Sequence, residues 1–150
     1  MRRKTRPGMP DLVDTSVWLP LSAPDHAHHA RARRYWDDES REQLAFCRVT
    51  TLALLRHLTN PRIMGPAVLD GSAAWKALGT WLAVPRVRIL AEPSGLDEWL
   101  RQWSGSLDLR GGAWTDAYLA AFAAASGCRL VGFDGDFSRY PGIEFLHLRA

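Results

Sequence analysis

The chain has 150 residues, 47% of them hydrophobic and 23% charged, with seven tryptophans and two cysteines. These values exclude a disordered or fibrous chain and predict one globular domain with a core of its own. The formal charge of +3 resides at the start: four of the 19 basic side chains lie in the first six residues, leaving 15 against 16 acidic ones. Residues 1–8 therefore read as a basic N-terminal arm ahead of a near-neutral domain over 9–150. Such an arm is a nucleic-acid contact, a disordered tail, or sequence upstream of a start at Met9. Two cysteines, Cys47 and Cys128, build neither a disulfide framework nor a zinc site alone, and read as core residues. No apolar run reaches the ~18–20 residues of a membrane span. Pro7, Gly8 and Pro10 follow the basic start in place of an apolar stretch, so no secretory signal is expected and a reducing, cytoplasmic setting is.

In chain order, Asp11-Leu12-Val13 reads as a short buried strand ending on Asp14. Thr15 and Ser16 follow as capping residues, and Pro20 and Pro24 are expected to break the apolar segment after them. Residues 25–39 read as an amphipathic helix with a basic face, and 43–51 as a second strand. A helix over 52–58 stops at Asn60-Pro61. Residues 61–71 read as a loop, 72–82 as a helix, 84–90 as a third strand and 96–103 as a helix. A glycine-rich loop, 104–113, leads to an alanine-rich helix that starts at Thr115 or Asp116 and ends at Gly127. Residues 129–133 form a strand closed by Asp134-Gly135-Asp136, and 143–148 the last strand. Strands alternating with helices predict an α/β fold, a mainly parallel sheet with helices on both faces.

Ligands in such sheets bind beyond the carboxyl ends of the strands. Asp14, Asp134 and Asp136 fall there, and Asp116 opens the helix after the glycine-rich loop. Each has a plain structural role available: Asp14 and Asp116 as helix caps, Asp134-Gly135-Asp136 as a turn. Together they point to a cluster whose mutual repulsion a divalent cation would relieve. Mg2+ or Mn2+ prefers such hard oxygen ligands and works on phosphates, activating water and offsetting charge on a leaving oxygen. Arg56 reads either as a surface helix residue or as a phosphate contact. His26, His28 and His29 read as solvent-facing. Trp75, Trp81, Trp99 and Trp103 read as core or interface residues. Neither a nucleophile elbow, Gly-x-Ser-x-Gly, nor a phosphate-binding glycine loop is present.

The motifs resemble those of a known family. Leu-Val-Asp14-Thr15-Ser16-Val-Trp-Leu is similar to the opening strand and first acid of PIN domains. Trp-Thr-Asp116-Ala-Tyr-Leu-Ala-Ala resembles the helix bearing their third acid, and Leu-Val-Gly-Phe-Asp134-Gly-Asp136-Phe-Ser-Arg their last motif. Leu-Leu-Arg56-His-Leu-Thr-Asn-Pro61 resembles a branch of VapC-type toxins with an Arg-x-Leu-Thr-Asn-Pro signature. The resemblance covers about residues 9–149. It implies a PIN-like three-layer α/β/α domain and a metal-dependent endoribonuclease, the toxin of a bacterial VapBC-type module, acting on structured RNA such as tRNA or rRNA. It further implies a cognate VapB-type antitoxin, a homodimer, and Mg2+ or Mn2+ as cofactor. Asp14, Asp116 and Asp134 would be metal ligands and catalytic, with Asp136 a nearby acid. Thr15, Ser16 and Arg56 would touch the metal shell or substrate.

One position departs from the family pattern. Leu54 stands where many PIN domains carry a glutamate. That leaves a single-ion site, or Asp136 supplying the missing charge, or a weakly active module that binds RNA or antitoxin without cutting. A likeness of Phe133-Asp134-Gly135-Asp136 to the nucleophile strand of haloacid-dehalogenase phosphatases fails on position. That strand opens its domain, whereas here only 14 residues follow Asp136.

Overall fold

In a computed structural model that describes residues 8–150, five short strands form one sheet. They are β1 (Asp11–Val13), β2 (Leu44–Phe46), β3 (Val87–Ile89), β4 (Arg129–Gly132) and β5 (Glu144–His147), in the order β3-β2-β1-β4-β5 with every pairing parallel. The arm expected over 1–8 lies outside the described residues except for Gly8. Seven helices cover the sheet: α1 (Thr15–Ser22), α2 (His29–Arg34), α3 (Arg48–Leu58), α4 (Pro61–Met64), α5 (Gly71–Leu82), α6 (Leu96–Ser106) and α7 (Ala113–Ser126). No helix among the described residues is long and apolar enough to cross a membrane.

The period-2 alternation of each strand divides the core into two layers. Val13, Leu44, Phe46 and Val131 face one cluster, built with α1, α2, α3 and α5. Leu12, Ala45 and Leu130 face the other, built with α6 and α7. The anchor of the first layer is Trp18, fully buried and stacked on Phe46 with ring centroids 4.0 Å apart. A ring of this size removes roughly 200 Å2 from water, about 5 kcal/mol before packing terms. Trp81 of α5 packs against Trp18, and its Nε1–H donates to Ser22 Oγ at 2.8 Å. The helix that follows β1 is thus held from behind.

Several boundaries differ from the sequence expectation. Pro20 sits inside α1 without breaking it. In an eight-residue helix it forfeits a single backbone bond, and burial of Trp18, Leu19 and Leu21 outweighs that loss. The second strand stops at Phe46, because Cys47 begins α3: the Cys47 N–H donates to Thr50 Oγ1 at 2.9 Å in a capping arrangement. The expected 25–39 helix starts at His29 and widens into a π-turn over Tyr35–Glu39, where Ser40 N–H reaches the Tyr35 carbonyl. The 61–71 stretch holds α4 and a 3-10 turn, with Asn60 capping Arg62 N–H and Pro61 in the first helical position. The alanine-rich helix opens at Ala113 rather than at Thr115 or Asp116, because Gly111 at φ 52° turns the chain there. Its expected stop holds: Gly127 adopts φ 76° and donates its N–H to the Ala123 carbonyl.

Candidate functional site

The strand order reverses direction about β1, with β2 entering on one side and β4 on the other. The carboxyl ends of β1 and β4 therefore open the crevice where such sheets bind ligands. Asp14 is the first residue beyond β1, and Asp134 the second beyond β4, after Phe133. Asp14 caps α1, its carboxylate accepting the Ser16 N–H at 3.2 Å, while its own N–H donates to the Val131 carbonyl. Asp134 caps a 3-10 turn over Gly135–Arg139 and accepts the Asp136 N–H at 2.9 Å. The Ser16 hydroxyl accepts the Phe133 N–H at 3.1 Å, tying the two strand ends together. Gly132 makes the approach close: a Cβ there would lie 3.4 Å from both the Asp14 Cβ and the Phe137 ring.

Asp116 projects from the first turn of α7, where the positive end of the helix favours a carboxylate. It meets Asp14 across a cleft of about 250 Å3. Thr15, Ser16 and Leu19 of α1 line this cleft, as do Val49, Thr50, Ala53, Arg56 and His57 of α3. Thr115 and Leu119 of α7 complete it. Thr15, Ser16 and Arg56 line the walls around Asp14. Asp134 and Asp136 lie outside the cleft lining, exposed on the adjoining rim.

The electrostatics bear the mark of crowded acids. Burial raises the Asp14 carboxyl above its ordinary range, against the Ser16 and Thr15 hydrogen bonds, and the Asp134 charge adds to the rise. Asp116 is pushed up to about 6, first by burial and then by Asp134, Asp14 and Asp136, with Arg139 opposing. All four acids therefore act within one field. Among the described residues, no three acid, imidazole or thiol side chains converge tightly enough to form a ready-made cage. A hydrated Mg2+ or Mn2+ needs no such cage, since it keeps several waters and takes one or two direct carboxylates. The all-oxygen donor set and its uncompensated repulsion fit an ion of this kind.

Three sequence expectations change. Leu54 does not face the cleft; it is fully buried in the first core layer, so it holds no site position. The face of α3 that borders the acids carries Thr50, Ala53, Arg56 and His57, and none is a carboxylate. His57 was missed, although its seven-residue spacing from Thr50 places both on one helical face. His26, His28 and His29 are half-buried rather than solvent-facing: His28 stacks on Phe133 at 4.7 Å and His29 Nδ1 lies 2.7 Å from the Pro20 carbonyl. Trp103 is buried as expected, while Trp75 is 58% exposed on α5.

A doubly wound parallel sheet with acids gathered at its switch point defines an acid-cleft α/β protein suited to a hard cation and a phosphate ligand. The PIN domain family matches residues 12–143, and the chain belongs to that family. It is 40% identical over 139 residues to Ribonuclease VapC41 of Mycobacterium tuberculosis, covering 89% of this chain and 94% of that protein. The fold is similar to the crystal structure of Mycobacterium tuberculosis VapC20, a sarcin-ricin loop cleaving toxin. That likeness has a TM-score of 0.66 and 26% identity, over 89% of this chain and 97% of the other. VapBC-1 from nontypeable Haemophilus influenzae shares the fold at a TM-score of 0.67 and 14% identity, covering 93% of this chain and 98% of that one.

Proposed function

We propose that this protein is a Mg2+- or Mn2+-dependent endoribonuclease, the toxin of a VapBC-type toxin–antitoxin module. The observation that carries the reading is the meeting of Asp14 and Asp116 across one cleft, beside Asp134 on the neighbouring strand end. Three separate elements deliver these acids, at a cost in charge repulsion that a structural role would not require. The name of VapC41 and the 40% identity support the ribonuclease activity. Structured RNA, tRNA or rRNA, is the substrate class the resemblance favours, and the likeness to VapC20, a sarcin-ricin loop cleaving toxin, adds weight to it.

Asp14, Asp116 and Asp134 would hold the cation, directly or through its bound waters, with Asp136 adding charge from the rim. When bound, such an ion supplies a Lewis acid that activates water and offsets charge on the scissile phosphate. Ser16 keeps Asp14 and the Asp134 turn in register through its bond to Phe133. Thr15 offers a hydroxyl to the cleft, and Arg56, exposed on the opposite wall, offers a guanidinium to RNA phosphate, a salt-sensitive contact. A VapB-type antitoxin, a homodimer and a cytoplasmic setting belong to the same reading. The Haemophilus influenzae VapBC-1 fold supports its toxin–antitoxin frame.

A module that binds without cutting is the second reading, and the missing carboxylate on α3 favours it. One experiment separates the two: purified protein is incubated with total bacterial RNA and Mn2+, Mg2+ or EDTA. The Asp14→Asn, Asp116→Asn double variant serves as control. Discrete fragments that need the metal and both aspartates are expected. Intact RNA from folded, antitoxin-free protein would select the binding module.

A further inference from the structure

His57 is a cleft residue to which the reading above gives no work. It sits one residue after Arg56 on α3, and with Thr50 and Ala53 it forms the wall facing Asp14 and Asp116. Its Nδ1 is buried and has no hydrogen-bond partner among the described residues. Nor does the ring form an ion pair with either acid among the described residues, so nothing in the fold engages its polar atoms. Burial of Nδ1 leaves Nε2 as the nitrogen on the solvent side. Burial and the neighbouring Arg56 charge hold the ring below its ordinary range, with Asp14 opposing. The ring is then neutral near pH 7, and the tautomer with hydrogen on Nε2 presents a donor to the cleft.

A purely structural position would gain from an apolar side chain here, because an unpartnered buried ring nitrogen loses hydrogen bonds it had in water. The chemistry of the opposite wall says what the donor is for. Carboxylates repel a phosphodiester, so a backbone threading the cleft needs donors on the far side. Arg56 and His57 are the nitrogen donors that line it. Arg56 contributes a full charge at long reach; His57 contributes a short, half-buried donor.

We propose that His57 is a substrate-contacting residue that donates its Nε2–H to a phosphate oxygen of RNA bound in the acid cleft. This rests on the nuclease reading for the identity of the ligand. It goes beyond that reading by assigning a specific contact to a residue outside the acid motifs.

The test uses the full chain with labelled total bacterial tRNA in EDTA, where binding is read without cleavage. Wild type is compared with His57→Ala, His57→Asn and His57→Gln, each checked by thermal melting. A Gln amide nitrogen falls near the place of Nε2, and an Asn amide near Nδ1. His57→Ala and His57→Asn are expected to weaken binding about tenfold, and His57→Gln to restore most of it. In cleavage of total RNA with Mn2+, KM should rise by the same factor while kcat changes less. Equal binding by all four proteins, or equal loss in Asn and Gln, overturns the contact. Should His57→Ala fail to fold, the Asn and Gln comparison decides. Wild type that binds through His57 yet cuts nothing overturns the nuclease reading alone. Wild type that cuts, with His57→Ala unchanged in KM, overturns the contact alone.

Discussion

The Arg129 guanidinium donates to both oxygens of the Asp11 carboxylate, at 2.7 and 2.8 Å, across the β1–β4 pairing. Asp11 is wholly buried, and the Tyr35 hydroxyl donates to it at 2.6 Å. This acid lies on the same strand as the cleft but at its opposite end, and every oxygen is engaged. Asp11→Ala leaves Arg129 without its partner in the interior. The expected cost is about 3–5 kcal/mol, read as a shift in the urea midpoint. The variant that still folds should cleave RNA at the wild-type rate. A loss of activity from folded Asp11→Ala would mean that the two ends of β1 are coupled.

The acids of the cleft behave in the opposite way. Asp14 and Asp116 are held above their ordinary range chiefly by burial, with the Asp134 charge adding to both, so their charges oppose folding. Asp116→Asn should abolish cleavage by at least about a hundredfold, as expected for a lost metal ligand. It should leave the melting temperature at pH 7.5 unchanged or higher. A fall in melting temperature would indicate that Asp116 has a partner that stabilises its charged form.

The pH dependence has a definite sign. Asp116 moves from 3.8 in the unfolded chain to about 6 in the fold. The folded state therefore binds the proton more tightly, and this group's stabilising contribution is complete below pH 3.8. It disappears as pH rises through about 6. A divalent cation competes with that proton. Mn2+ should raise the melting temperature more at pH 7.5 than at pH 5, and cleavage should fall as pH drops through 6. An equal Mn2+ effect at both pH values would place the ion away from Asp116.

Ser16 joins the two strand ends through one hydrogen bond from Phe133 N–H. Ser16→Ala strands that half-buried donor at a cost of about 1–3 kcal/mol, measurable by denaturant titration. Because Asp134 directly follows Phe133, cleavage should fall by more than stability alone explains. Ser16→Thr, which keeps the hydroxyl, should recover most of it.

The sequence by itself determined the fold class, the parallel sheet and the rim on which the acids stand. Those follow from local signals: short apolar runs of strand length, helical periodicity between them, and Asp14 and Asp134 directly after a run. The Gly127 stop was legible because only a residue free to take φ 76° closes a helix that way. Helix starts were less legible, since Ala113 and Arg48 carry no capping signal and tertiary turns chose them. The larger gap was orientation. The motif alignment put Leu54 in the site, yet one residue along a helix turns a side chain by about 100°. Packing of α3 on α1 and α5 sent Leu54 into the core and left Ala53 and His57 at the cleft. Which acid is paired in the interior and which opens on the cleft was equally unreadable along the chain. Asp11 and Asp14 bracket the same two apolar residues. Only the arrival of Arg129 and Tyr35 at one end, and of Asp116 and Asp134 at the other, neutralises the first and leaves the second among like charges.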